Sequence, residues 1–80
     1  MIFVTTLDVI PGKVDELRKI IKTLEIPEDI EIREFLTLFG KPDFLLIFEA
    51  PNEERAMSFI LKFVSVAVPK TSVGVSVEKV

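Results

Sequence analysis

The run Phe44-Leu45-Leu46-Ile47-Phe48-Glu49 constrains this chain most. Gly40-Lys41-Pro42-Asp43 precedes it as a turn, and Ala50-Pro51-Asn52 leads from it into a helix start. Alternate residues of a strand point to opposite faces of a sheet. Phe44, Leu46 and Phe48 therefore share one face, and Leu45 and Ile47 share the other. A strand that is apolar on both faces needs cover on both. The rest of the chain predicts two helices, enough for one side. The expected cover for the other side is a second copy of the chain.

Around this strand the hydrophobic periods alternate between two and 3.6. Ile2–Val9 reads as a strand ended by Pro11-Gly12. A helix is expected from about Lys13, with Val14, Leu17, Ile20, Ile21 and Leu24 as its apolar stripe and Pro27 as its stop. Residues 30–39 read as a second strand, and Gly40 and Pro42 suit a hairpin back into Phe44–Glu49. Asn52 is a good N-cap, with Glu53 and Glu54 in the first turn. The second helix is expected to bury Ala56, Met57, Ile60, Phe63 and Val64, widened by Phe59 and Leu61. Pro69-Lys70 reads as a break, and residues 71–80 as a last strand with Val73, Val75 and Val77 on one face. The order βαββαβ predicts an α+β, ferredoxin-like domain: a four-stranded antiparallel sheet with two helices on one face. With 80 residues the chain is one domain, 1–80.

Composition narrows the function classes. A domain this small buries only about 60–65% of its unfolded surface and needs added support. Disulfides cannot provide it, because there is no Cys, and a zinc or haem site lacks its usual His and Cys ligands. No cofactor is expected. Self-association remains, and 49% hydrophobic residues point the same way. A net charge of −3 with scattered bases argues against nucleic acid as a partner. No apolar run approaches the ~20 residues of a membrane span. Met1-Ile2-Phe3-Val4 shows no charged leader with a cleavage site, so a cytoplasmic location is expected. Trp, Tyr and Gln are absent and Asn occurs once, a composition that fits a thermophilic source.

Phe39-Gly40-Lys41-Pro42-Asp43-Phe44, together with Phe48-Glu49-Ala50-Pro51-Asn52-Glu53-Glu54, resembles the GYD domain. That family's pattern is Gly-x-Tyr-Asp, a hydrophobic strand, then Glu-Ala-Pro-Asp. Lys70-Thr71 stands where the family shows a basic residue and Thr. Pro42 replaces the family's tyrosine, and Asn52 its usual Asp. The start Pro11-Gly12-Lys13-Val14 is similar to the effector-binding domain of leucine-responsive regulators. Both resemblances imply a dimeric α/β barrel, in which two sheets face each other. They imply the fold far more than any activity.

Candidate chemistry is sparse. Without Cys or His, a nucleophile would have to be Ser or Thr activated by Lys. Lys70 and Ser72 share a face, but a lysine beside an edge-strand serine is the better account. Glu49 follows Leu45 and Ile47 on one face, where burial could raise its pKa; the competing role is a strand-end carboxylate bound to a base or a backbone donor. Asp43 suits a turn residue bonding its own backbone. Ser72, Gly74 and Ser76 fit a pocket wall or an exposed edge equally. Phe3, Phe35, Phe39, Phe44 and Phe48 suit core or dimer packing better than a ligand pocket. Arg18, Lys19 and Lys22 could form an anion patch, but the intervening Asp15 and Glu16 favour a solvated helix face.

The leading expectation is a homo-oligomeric module for small-molecule binding or assembly, with Glu49, Lys70 and Asp43 as candidate ligand-binding residues. The alternative is a cofactor-free monooxygenase or isomerase of the dimeric α/β barrel type. The expected partners are a second copy of the chain and a small organic ligand, with neither nucleic acid nor membrane.

Overall fold

Strand and helix periods in the chain become the expected elements, in the expected order. A computed structural model describes residues 1–78. Strand β1 spans Ile2–Val9, helix α1 Val14–Lys22, and strand β2 Glu31–Thr37. Strand β3 spans Phe44–Glu49, helix α2 Glu53–Ile60, a 3-10 turn Leu61–Phe63, and strand β4 Ala67–Gly74. The four strands form one antiparallel sheet in the order β2-β3-β1-β4. This is the ferredoxin-like α+β fold. No helix among the described residues is long and apolar enough to cross a membrane.

Which side of each strand meets the helices is now defined. Phe3, Thr5 and Leu7 of β1 and Leu46 and Phe48 of β3 are buried. They pack with Leu17 of α1 and with Ala56, Phe59, Ile60 and Phe63 from α2 and the turn after it. The rings interlock. Phe48 lies 5.5 Å from Phe3 and 5.3 Å from Phe59, and Phe59 lies 6.0 Å from Phe63. Thr5, the buried polar residue, is satisfied by the Thr71 hydroxyl at 2.8 Å. Ile2, Val4, Leu45 and Ile47 point to the other face, which no helix covers, and are partly exposed.

Several boundaries differ from expectation. Helix α1 ends at Lys22, well before Pro27. There Thr23 Oγ1 and the Thr23 amide both donate to the Lys19 carbonyl, at 2.8 and 3.1 Å. Such a side-chain bond competes with helix continuation. Strand β2 stops at Thr37 and is irregular between Ile32 and Glu34. Phe39 falls beyond it and is fully exposed, so it belongs to neither core nor pocket. In α2, Asn52 Oδ1 accepts from the Arg55 amide at 2.9 Å, the expected cap. The buried stripe, however, is Ala56, Phe59, Ile60 and Phe63; Met57, Leu61 and Val64 are exposed. A slight rotation of the helix thus exchanges Met57 for Phe59. Pro69 and Lys70 do not break the chain but lie inside β4. Strand β4 pairs only with β1, and an edge strand tolerates a residue without an N–H. Val75, Ser76 and Val77 lie beyond it, and residues 79–80 of the expected strand lie outside the described residues.

The packing predicts unequal consequences for two neighbouring apolar residues of α2. Phe59→Ala should cost about 3–5 kcal/mol, because it leaves a cavity between Phe48 and Phe63. Met57→Ala should stay within about 0.5 kcal/mol. Urea unfolding followed by circular dichroism would measure both, and equal losses would contradict the assigned buried face.

Candidate functional site

The three candidate residues occupy two faces and both ends of the sheet. Glu49 closes β3 on the uncovered face, where Arg33 Nε donates to it at 2.6 Å and Nη2 lies at 2.5 Å. The bulge in β2 sets Arg33 opposite this end. Lys70 is on the same face, opposite Thr6. Strands β3 and β4 are both antiparallel to β1, so they run parallel to each other. The end of β3 is therefore level with Gly74, not with the start of β4. Lys70 and Glu49 are separated by about 13 Å along the strands and two strand spacings, about 10 Å, across. Within one chain the structure does not bring them together. Ser72 stands beside Lys70 in the edge strand, exposed and opposite Val4.

Asp43 sits at the other end of β3. Its carboxylate does not cap its own turn. The Val9 amide donates to Oδ2 at 2.8 Å, and Lys41 Nζ donates to the same oxygen at 3.2 Å. Lys41 Nζ also lies 3.9 Å from Asp8 Oδ1, an oxygen shielded from solvent and without a hydrogen bond. Asp43 thus ties the hairpin to the end of β1. Gly40, at φ +124°, makes the bend in the hairpin possible. The Leu38 amide closes it on the Asp43 carbonyl at 2.9 Å.

Between this hairpin and α1 a cleft of about 630 Å³ opens on the helix-bearing side of the sheet. Val9, Ile10 and Pro11 line it from the end of β1, and Val14 and Ile21 from α1. Phe44 and Thr37 contribute from the hairpin strands, and a smaller recess continues to Phe35. Phe35 and Phe44 meet edge to face at 6.0 Å. The cleft runs beside α1 from Val14 in its first turn to Lys22 in its last, on the side that faces the hairpin. The charged groups around it are Arg18, Lys22, Lys41 and Asp43. Asp43 is thus the one candidate that borders the cleft. Arg18 and Lys22 had the signature of a solvated helix face; only the fold shows that their side of α1 turns toward the hairpin. Among the described residues no three acids converge as a metal site would require.

Electrostatics match the geometry. The Val9 N–H, and then Lys41, hold the Asp43 carboxyl below the usual carboxylate range. On the far side of the molecule, Arg55 lowers the pKa of Asp29 through hydrogen bonds of 2.7 and 3.2 Å, joining the start of α2 to the loop before β2.

No known family model matches the chain. No curated protein matches it either. Among solved structures it is similar to LrpC of B. subtilis, with a TM-score of 0.75 at 20% identity. The similarity covers 98% of this chain and 52% of LrpC, so the chain spans about half the length of that protein. At this identity the likeness concerns the fold.

The Asp43 anchor predicts a pH dependence of definite sign. Its pKa is lower in the folded state, so its contribution to stability is present above the ordinary Asp pKa and is lost as pH falls through the folded value. Asp43→Asn should be less stable than the parent at neutral pH. The gap should close on acidification below about pH 4. Urea unfolding across this range measures it; a gap that does not change with pH would rule out the carboxylate as the cause.

Proposed function

We propose that this chain is a small-molecule-binding module, GYD-like in character, that works as a homodimer. The observation that carries the binding role is the cleft between α1 and the β2–β3 hairpin. Its volume falls within the roughly 300–1,000 Å³ of ligand sites, and its lining combines apolar side chains with a few polar ones. A packed core would be expected to fill such a space. The likeness of fold to LrpC is compatible with this role.

The dimer reading rests on the uncovered sheet face. Ile2 and Val4 of β1 adjoin Leu45 and Ile47 of β3 there, with Leu36 of β2 beside Leu45. A second copy laid on this face would bury over about 1,000 Å² in total, the size of a specific interface. Glu49 with Arg33, and Lys70, would then flank the apolar centre as the polar groups that set its register. Turnover in the cleft is the weaker reading. Asp43, the carboxylate there, has its lowered pKa and bound oxygen against it as a general base.

Two measurements test the proposal. Sedimentation at micromolar concentration should show a dimer. Ile47→Asp should release folded monomer, whereas Leu46→Asp should unfold the chain, because Leu46 lies in the core. A folded parent that stays monomeric would remove the dimer. For binding, a chemical-shift screen of small organic acids and amino acids should perturb amides of Val9, Val14, Lys22 and Phe44. A compound at 100 times its dissociation constant should also add about 2.7 kcal/mol of stability. If no compound perturbs these amides, the assembly role alone remains.

A further inference from the structure

The cleft also indicates what kind of molecule it takes, an inference that rests on the binding role just proposed. We infer that its ligand is an amphipathic carboxylate, an apolar body with one anionic head and no ammonium group, with Arg18 and Lys22 holding the head.

Three observations support this. First, three bases and one acid border the cleft, a formal balance of +2 in a chain whose net charge is −3. An electropositive cleft in an acidic protein attracts anions over the field of the whole. Second, the bases are not equivalent. Lys41 is engaged by Asp43 and stands near Asp8. Arg18 and Lys22 have no carboxylate partner among the described residues. They are four positions apart on α1, so both heads lie on one side of the helix. Between them a planar guanidinium and an ammonium can clamp a carboxylate, the guanidinium in bidentate fashion.

Third, the cleft offers a positive group no uncommitted carboxylate. An α-amino acid would bring an ammonium that needs its own acceptor once desolvated. The bordering acid is Asp43, and its Oδ2 already accepts from the Val9 amide and from Lys41. Recruiting it would break the tie between hairpin and β1. The rest of the lining suits hydrocarbon or an aryl ring: Val9, Ile10, Val14, Ile21 and Phe44, with Phe35 in the recess beyond.

The test titrates the full chain with decanoate, decylamine, decanol and leucine, following amide shifts of cleft residues. Decanoate should bind. Decanol and leucine should bind at least about tenfold more weakly, and decylamine weaker still, in keeping with the loss of a charge-assisted hydrogen bond. The double variant Arg18→Gln/Lys22→Gln should lose about tenfold or more in decanoate affinity while its ligand-free melting temperature stays close to the parent's. Lys19→Gln, on the same helix but outside the cleft, should bind decanoate as the parent does. Cleft shifts that are as strong with leucine or decanol, or decanoate affinity unchanged in the double variant, would overturn the ligand class and leave the cleft as a binding site. Shifts absent from the cleft with all four probes would overturn both.

Discussion

Phe48 is the contact on which the rest of this small fold depends. It sits in one of the two central strands, stacks on Phe3 of the other, and meets Phe59 of α2 edge to face. Phe59 passes the contact to Phe63, which in turn reaches Phe35 in the edge strand β2 at 6.2 Å. One connected series of rings therefore fastens α2 and its following turn across three strands. In a chain of 80 residues without disulfides, aromatic burial is the densest source of cohesion available.

That concentration leaves the opposite corner lightly packed. The Phe35–Phe44 pair ends the ring series beside the cleft between α1 and the hairpin. The hairpin there is held mainly by polar contacts, the Asp43 carboxylate on the Val9 amide and Lys41 beside it. Charge-assisted bonds fix position without filling space. Anchored backbone around an incompletely filled apolar hollow is a suitable arrangement for a ligand site, which needs a preformed shape and some unused surface.

The order of the elements was legible because the periods of two and 3.6 are clean in most segments. The parity of the strands was not, since Leu45 and Ile47 are as apolar as Leu46 and Phe48. Met57 and Phe59 posed the same difficulty in α2, where eight of eleven residues from Ala56 to Val66 are apolar and the stripe has no sharp edge. Pro69 looked like a stop because its missing N–H matters in a central strand; nothing local marks β4 as an edge. The separation of Glu49 from Lys70 follows from strand direction, a property of the whole topology. Arg18 and Lys22 were visible only as charges on a helix. Their position beside a cleft depends on how α1 lies against the hairpin, a property of the tertiary fold.

The exposed side of β4 has a bearing on solubility. An edge strand offers a row of free backbone donors and acceptors to any passing chain. Here Pro69 removes one donor from that row and Lys70 adds a charge beside it. The same two residues that leave the strand's pairing with β1 intact thus make its outer side a poor template for uncontrolled strand addition. A chain this apolar can then leave one sheet face without a helix over it while discouraging growth from that edge into fibrils.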